Sequence, residues 1–150
     1  MAKNNLSALK KAWAKAKADA EAEFEKLMAM DGEENAYVLH RELGELMLEN
    51  VAIERHNDRL EYCAKELVKI LKRWDNIGLT DKGRWFNQEV MFVRQLRNMI
   101  VYARAITQAA LQRNESRGAH YKEEFPNRDD ENFLKTTRVK CNPQTLAPEI

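Results

Sequence analysis

Residues 84–114 read RWFNQEVMFVRQLRNMIVYARAITQAALQRN. Val90, Val93, Leu96, Ile100, Ala103 and Ala110 recur at helical spacings of three, four or seven and make one apolar stripe. Phe92, Met99 and Ile106 widen that stripe towards a second face. A helix that is apolar on more than one side is packed between neighbours. Taken from about Trp85 to Asn114, it rises 1.5 Å per residue to a length of ~45 Å, enough to span a bundle. This stretch sets the expectation of an all-α fold with this helix at its centre.

Working outward, the segments before it have the same period. Leu6, Leu9, Trp13, Ala16, Ala20, Phe24 and Leu27 form a stripe along a first helix, and Trp13 is expected to pack into the core. Its charges are ordered against the helix dipole, Lys10, Lys11, Lys15 and Lys17 preceding Asp19, Glu21, Glu23 and Glu25. Such a helix needs packing to hold it, and MDGEEN at 30–35 ends it. A second helix starts near Asn35 and carries Val38, Leu39, Leu43, Leu46 and Met47. It breaks around ENVAIERHND, where the Asn57–Asp58 pair suits a cap. A third helix carries Leu60, Ala64, Leu67, Leu71 and Trp74, with Cys63 near the stripe as a small buried residue. DNIGLTDKGR, with Gly78 and Gly83, is a turn. Trp85–Phe86, opening the fourth helix, reads as a staple-like anchor in preference to an exposed docking pair.

Bulk properties narrow the function. The chain has 150 residues, 44% hydrophobic and 33% charged, a size suited to one core. A net charge of +1 provides no global field to recruit nucleic acid or anionic lipid. Two cysteines make no disulfide framework, no secretory signal opens the chain, and a reducing, cytosolic compartment is the default. No apolar run is long enough to span a membrane. The glycines at 32, 44, 78, 83 and 118 never stand as G-x-G, so a phosphate-cradling dinucleotide turn is missing. His40, His56 and His120 sit on separate elements and neither cysteine belongs to a C-x-x-C, so no metal site is expected.

The densest polar stretch follows the central helix: NESRGAHYKEEFPNRDDENFLKTT, residues 114–137. Gly118 fits a helix C′ position with φ > 0, and Arg113 and Arg117 suit a helix C-terminus. Arg117 and Arg128 facing Glu115, Asp129 and Asp130 would make an ion-pair network that pins the segment. From Tyr121 onward the periodicity stops. The expectation is a bundle over 1–118 and an extended, polar tail over 119–150, mobile unless another surface receives it. Within that tail, 136–141 reads as a strand, Asn142–Pro143 as a turn, and a following strand as one that never arrives; the chain reads as cut.

These residues resemble a known family. RNESRGAHYKEEFPNRDDENFLKTT resembles the C-terminal motif of the flavoprotein subunit of succinate dehydrogenase and fumarate reductase. MDGEENAYVLHRELGELMLENVAIERHNDRL and WFNQEVMFVRQLRNMIVYARAITQAALQRNESRGAH are similar to that subunit's helical domain, so the likeness runs from Met30 to Thr137. The wording resembles the bacterial form that pairs with a di-haem cytochrome b anchor. The resemblance implies an antiparallel, spectrin-repeat-like three-helix bundle with an extra N-terminal helix and a C-terminal tail. It implies a parent oxidoreductase interconverting succinate and fumarate, with FAD and all catalytic residues outside this chain. It implies as partners the parent's own FAD and capping domains, an iron–sulfur subunit and, indirectly, the cytochrome b anchor, at the inner face of a bacterial cytoplasmic membrane. Glu115, Ser116, Arg117, Gly118, His120, Arg128, Asp129 and Asp130 match the motif, and the expected role is interdomain fastening. The C-terminal domain of L-aspartate oxidase, which shares the ESRG-H signature, and a free-standing helical interaction module are the alternatives.

Overall fold

A computed structural model of the chain describes residues 2–150, with side chains from Leu6 onward. The elements in order are α1 (Ala2–Met28), α2 (Ala36–Val51), β1 (Glu54–Arg55), α3 (Asn57–Trp74) and α4 (Gln88–Gln112). They are followed by β2 (Tyr121–Lys122), α5 (Asp130–Phe133), β3 (Lys140–Cys141) and β4 (Pro148–Glu149). The fold is all-α, with four short strands attached.

Three helices make the bundle, and side-chain contacts give their directions. Arg73, at the end of α3, donates from Nε to Glu34 Oε1 at 2.7 Å, just before α2 begins. Trp74 Nε1 donates to the carbonyl of Val93, near the start of α4, at 2.8 Å. At the opposite end Cys63 Sγ lies 4.0 Å from Met47 Sδ and 3.9 Å from Thr107 Oγ1. The order is therefore up, down, up, with α2 and α4 parallel and α3 antiparallel to both.

The core follows the stripes, with instructive shifts. Val90, Val93, Leu96, Ile100, Ala103 and Ala110 of α4 are buried. Thr107 joins them because its hydroxyl donates to the Ala103 carbonyl at 2.8 Å and so brings no orphan into the core. Along α3 the buried line runs Leu60, Cys63, Leu67, Ile70, Trp74, while Ala64 and Leu71 sit at its edge. Asn35 caps α2, its side chain accepting from the amides of Tyr37 and Val38.

Several expectations are corrected. The α1 stripe does not reach the core along its length: Leu27 is buried and Phe24 and Met28 pack partly, but Leu6, Leu9 and Trp13 are exposed, Trp13 by 77%. The lysine-first charge order is accommodated by i,i+4 pairs, Lys15–Asp19 at 2.6 Å and Lys17–Glu21 at 3.6 Å, and by Glu23 reaching Arg94 on α4 at 3.1 Å. Trp85 and Phe86 do not staple α4; they are 85% and 87% exposed, and Asn87 caps the helix by accepting from the Val90 amide. Starting there and ending at Gln112, α4 has 25 residues and is ~38 Å long, shorter than expected.

The 30–35 and 75–79 connections meet as backbone. Asp31 bridges Gly78 and Glu34 bridges Ile77, and a Cβ on Gly32 would stand 1.9 Å from the Asn76 carbonyl oxygen. Only glycine fits that approach. After α4 the chain folds back: β2 pairs in parallel with β1, joining Glu54 to Tyr121 and Arg55 to Lys122. The strand expected not to arrive is present, since β4 pairs antiparallel with β3, Lys140 opposite Glu149. That hairpin lies on α4, where Arg104 donates to the Leu146 carbonyl at 2.6 Å. Among the described residues no helix is long and apolar enough to cross a membrane.

Candidate functional site

The polar stretch 113–137 closes the end of the bundle where α4 stops. Arg113 leaves α4 with extended φ/ψ, and Glu115, two residues on, is completely buried. Its carboxylate accepts from Arg117 Nε at 2.8 Å and Nη2 at 2.9 Å, from the Asp129 amide at 2.9 Å, and from Arg113 Nη1. The Arg117 contact, helped by the Asp129 amide and Arg113, holds its pKa down to about 2 against the opposing effect of burial.

The network extends outward from that hub. Arg117 Nη2 also donates to Asp130 Oδ1 at 2.5 Å, and Arg128 reaches the same oxygen at 3.1 Å. Arg113 bonds the carbonyls of Phe133 at 3.0 Å and Lys135 at 2.7 Å, and Thr137 Oγ1 at 3.1 Å. Asp129 takes no arginine; it caps α5 by accepting from the Asn132 amide. Ser116 Oγ donates to the Phe125 carbonyl at 2.7 Å and accepts from the Lys122 amide at 2.9 Å. The expected pairing of Arg117 and Arg128 with Glu115 and Asp130 is present, and Asp129 contributes through its backbone.

Gly118 has the positive φ anticipated, +60°, but not as a helix cap, because α4 ended six residues earlier. It opens a two-residue turn in which Arg117 and His120 exchange both backbone bonds, at 2.7 and 3.1 Å. Positive φ at the first central position is the type II′ arrangement, which glycine adopts without strain. The turn aims His120 back at the bundle. Its Nδ1 lies 2.7 Å from Arg55 Nη1 and its Nε2 lies 2.9 Å from the Arg113 carbonyl. A guanidinium only donates, so Nδ1 must accept and Nε2 must carry the proton. Burial, with the nearby Arg55, Lys122 and Arg113 charges, outweighs the Arg113 carbonyl bond and moves the imidazole pKa below its ordinary value.

Sequence reasoning missed Lys122, although it stands within the quoted stretch. Its ammonium is fully buried and donates to Asn57 Oδ1 at 2.6 Å, Asn114 Oδ1 at 3.0 Å and the Leu111 carbonyl at 3.1 Å. Three donors meet three neutral acceptors and no carboxylate, and burial pulls its pKa to about 8. Asn57 was expected to cap α3. His56 holds that position without a side-chain cap bond, and the Asn57 amide is capped from across the junction by Glu124 Oε1 at 2.8 Å. The available signal was a lysine that directly follows Tyr121 and stands three residues before Phe125, in the segment after α4.

As for ion binding, His56 stands 3.6–3.9 Å from carboxylates of Glu54, Glu123 and Glu124. Glu54 and Glu123 are about two-thirds exposed, so this is a solvated acidic rim around an imidazole. A shallow depression of ≈ 550 Å³ is lined by Arg113, Arg117, His120, Phe133, Leu134, Lys135 and Thr136. Both of its arginines are engaged, Arg113 by Glu115, Thr137 and the Phe133 and Lys135 carbonyls, and Arg117 by Glu115 and Asp130. Nothing in this geometry resembles a nucleophile and base poised on an open pocket.

Fold and junction together define a helical bundle module fastened at one end by a buried ion-pair network. The chain belongs to the family described as fumarate reductase flavoprotein C-term, which matches residues 40–150. It is 49% identical over 124 residues to a succinate dehydrogenase flavoprotein subunit of Bacillus subtilis, covering 83% of this chain and 21% of that one. It is 38% identical over 111 residues to a fumarate reductase flavoprotein subunit of Helicobacter pylori, covering 74% and 16%. Among solved structures, E. coli quinol fumarate reductase FrdA superposes with a TM-score of 0.83 at 29% identity, over 87% of this chain and 23% of that one. The chain thus spans about a fifth of the length of the relatives it matches.

Proposed function

We propose that these residues are the helical scaffold of a succinate dehydrogenase or fumarate reductase flavoprotein, bracing the part that binds FAD while taking no part in the redox step. The observation that carries this is the family match, which runs through the central helix and the whole Glu115 network. The parent would interconvert succinate and fumarate, with FAD supplying the redox chemistry outside these residues and with an iron–sulfur subunit and a cytochrome b anchor as partners. The complex would sit peripherally at the inner face of a bacterial cytoplasmic membrane. The similar solved structures, quinol fumarate reductases and a Mycobacterium smegmatis Sdh1 complex, support such partners.

The residues in hand do not fit the flavin dinucleotide. Its pyrophosphate needs glycines two apart before an open helix N-terminus, whereas the amides opening α2 and α4 are taken by Asn35 and Asn87. No catalytic step is therefore assigned to this chain. Glu115, Ser116, Arg117, Gly118, His120, Arg128, Asp129 and Asp130 would act as a fastening for the flavin domain. The inner members set the shape, while Arg128 and Asp130, each more than half exposed, are free to meet a partner. The test is to purify the chain and assay flavin content and succinate-dependent dye reduction, then repeat hydrogen exchange with a separately expressed flavin domain. A colourless, inactive, helical protein that gains protection at 115–130 only in the mixture supports the scaffold. Retained flavin or turnover by the chain alone refutes it.

A further inference from the structure

His120 joins two parts of the molecule that are distant in sequence, the connector between α2 and α3 and the turn after α4. Lys122 and Glu124 tie the segment after α4 to Asn57 at the start of α3, and His56 stands near Glu123 and Glu124. Around His120 itself the join has two further components. One is the parallel β1–β2 pair with the Tyr121 amide donating to the Ile53 carbonyl at 3.2 Å. The other is the Arg55–His120 contact at 2.7 Å, with Arg55 Nε additionally tied to the Val51 and Ala52 carbonyls. Both ring nitrogens of His120 are in use. The only site left for a second proton is Nδ1, and the atom facing it is a guanidinium nitrogen.

We propose that His120 is an acid-sensitive latch: protonation at Nδ1 expels Arg55 and frees the 117–122 turn and strand from the α2–α3 connector. The Arg113 carbonyl at Nε2 is the one contact that favours an imidazolium, and no carboxylate meets the ring. Arg55 faces it from β1, Arg113 from the end of α4 and Lys122 from β2, all cationic. Arg117 and Lys135 line the same depression. The nearest buried acid, Glu115, is already occupied by Arg113 and Arg117. The acceptor role of Nδ1 is thus lost at the step that adds a like charge against Arg55, and the contact changes sign. The bundle core, closed by apolar contacts between α2, α3 and α4, has no share in this event.

Two measurements on the 150-residue chain decide it. Long-range ¹H–¹⁵N correlation of the imidazoles, titrated from pH 7.5 downward, reads the tautomer and the proton uptake. Native-state hydrogen exchange, corrected for intrinsic rates, reads opening at Tyr121 against core amides such as Leu67 and Leu96. The expected result is a neutral Nε2–H ring at pH 7, titrating below the usual histidine range. Protection at Tyr121 then falls by up to about tenfold per pH unit below that titration, the limit for uptake of one proton, while the core amides hold. In Arg55→Gln, whose amide can donate to Nδ1 or accept from it, the pH dependence at Tyr121 disappears and His120 titrates at higher pH. An imidazolium at pH 7, an Nδ1–H tautomer, a Tyr121 protection that is flat with pH, or one that falls together with the core overturns the proposal.

Discussion

Replacing Lys122 with methionine isolates the one fully buried ammonium of the described residues. Its three protons are matched by Asn57 Oδ1, Asn114 Oδ1 and the Leu111 carbonyl, but burial lowers its pKa from 10.5 to about 8. In the unfolded chain the same amine keeps its proton up to its ordinary value. Between those two values the unfolded state binds more protons, so stability rises with pH across that window. The difference in pKa corresponds to about 3 kcal/mol. Methionine fills similar space and leaves the Asn57 and Leu111 oxygens unpartnered, a cost of about 1–3 kcal/mol each that does not vary with pH. Urea unfolding of both proteins by circular dichroism at pH 7, 8, 9 and 10 cancels every other titration in the difference. Wild type is expected to gain about 2–3 kcal/mol on the variant by pH 10, most of it above pH 8. A difference that stays flat or shrinks with pH would falsify the placement of that charge.

Glu115→Gln should lower the melting temperature at pH 7, because Arg113 and Arg117 lose their common anion. With its folded pKa depressed to about 2, the Glu115 contribution is complete above the usual carboxylate range and is lost as pH falls from about 4.5 towards 2, so the two melting curves should converge in acid. Gly32→Ala should cost about 3 kcal/mol, the upper end for overpacking, since its Cβ meets the Asn76 carbonyl oxygen at 1.9 Å. Gly44→Ala, in open space on α2, should instead stabilise by about 0.5–1 kcal/mol, and urea midpoints of the pair check both signs. A thiol reagent should titrate exposed Cys141 at once and buried Cys63, whose pKa burial raises, only as the chain unfolds. Two thiols reacting at equal rates in native protein would contradict the packing of Cys63.

The bundle was legible because burial of a helix leaves a period in the sequence. Val90 to Ala110 on α4 and Leu60, Leu67 and Trp74 on α3 repeat with that period and are buried. Periodicity says which face is apolar, not whether anything covers it, and α1 demonstrates the difference: its stripe is regular, yet the helix runs beyond its neighbours and leaves Trp13 in solvent. The same limit misplaced Trp85 and Phe86, whose apolar character says nothing about the turn that turns them outward.

At the polar junction the residue types named the members and the tertiary structure assigned the partners. A run of arginines and carboxylates can pair in many ways; burial of Glu115 selects one, because a buried carboxylate must be satisfied on both oxygens. Lys122, Asn57 and Arg55 lie up to 67 residues from the groups they serve or share, as in the Glu124 bond to the Asn57 amide. Local sequence determined the helices and the Asn35 cap, which depend on neighbours within a few positions, whereas the Asn57 amide took its cap from Glu124. Which charge goes inside, and which imidazole nitrogen faces a cation, was decided only when the parallel pairing of β1 with β2 brought distant segments within hydrogen-bond reach.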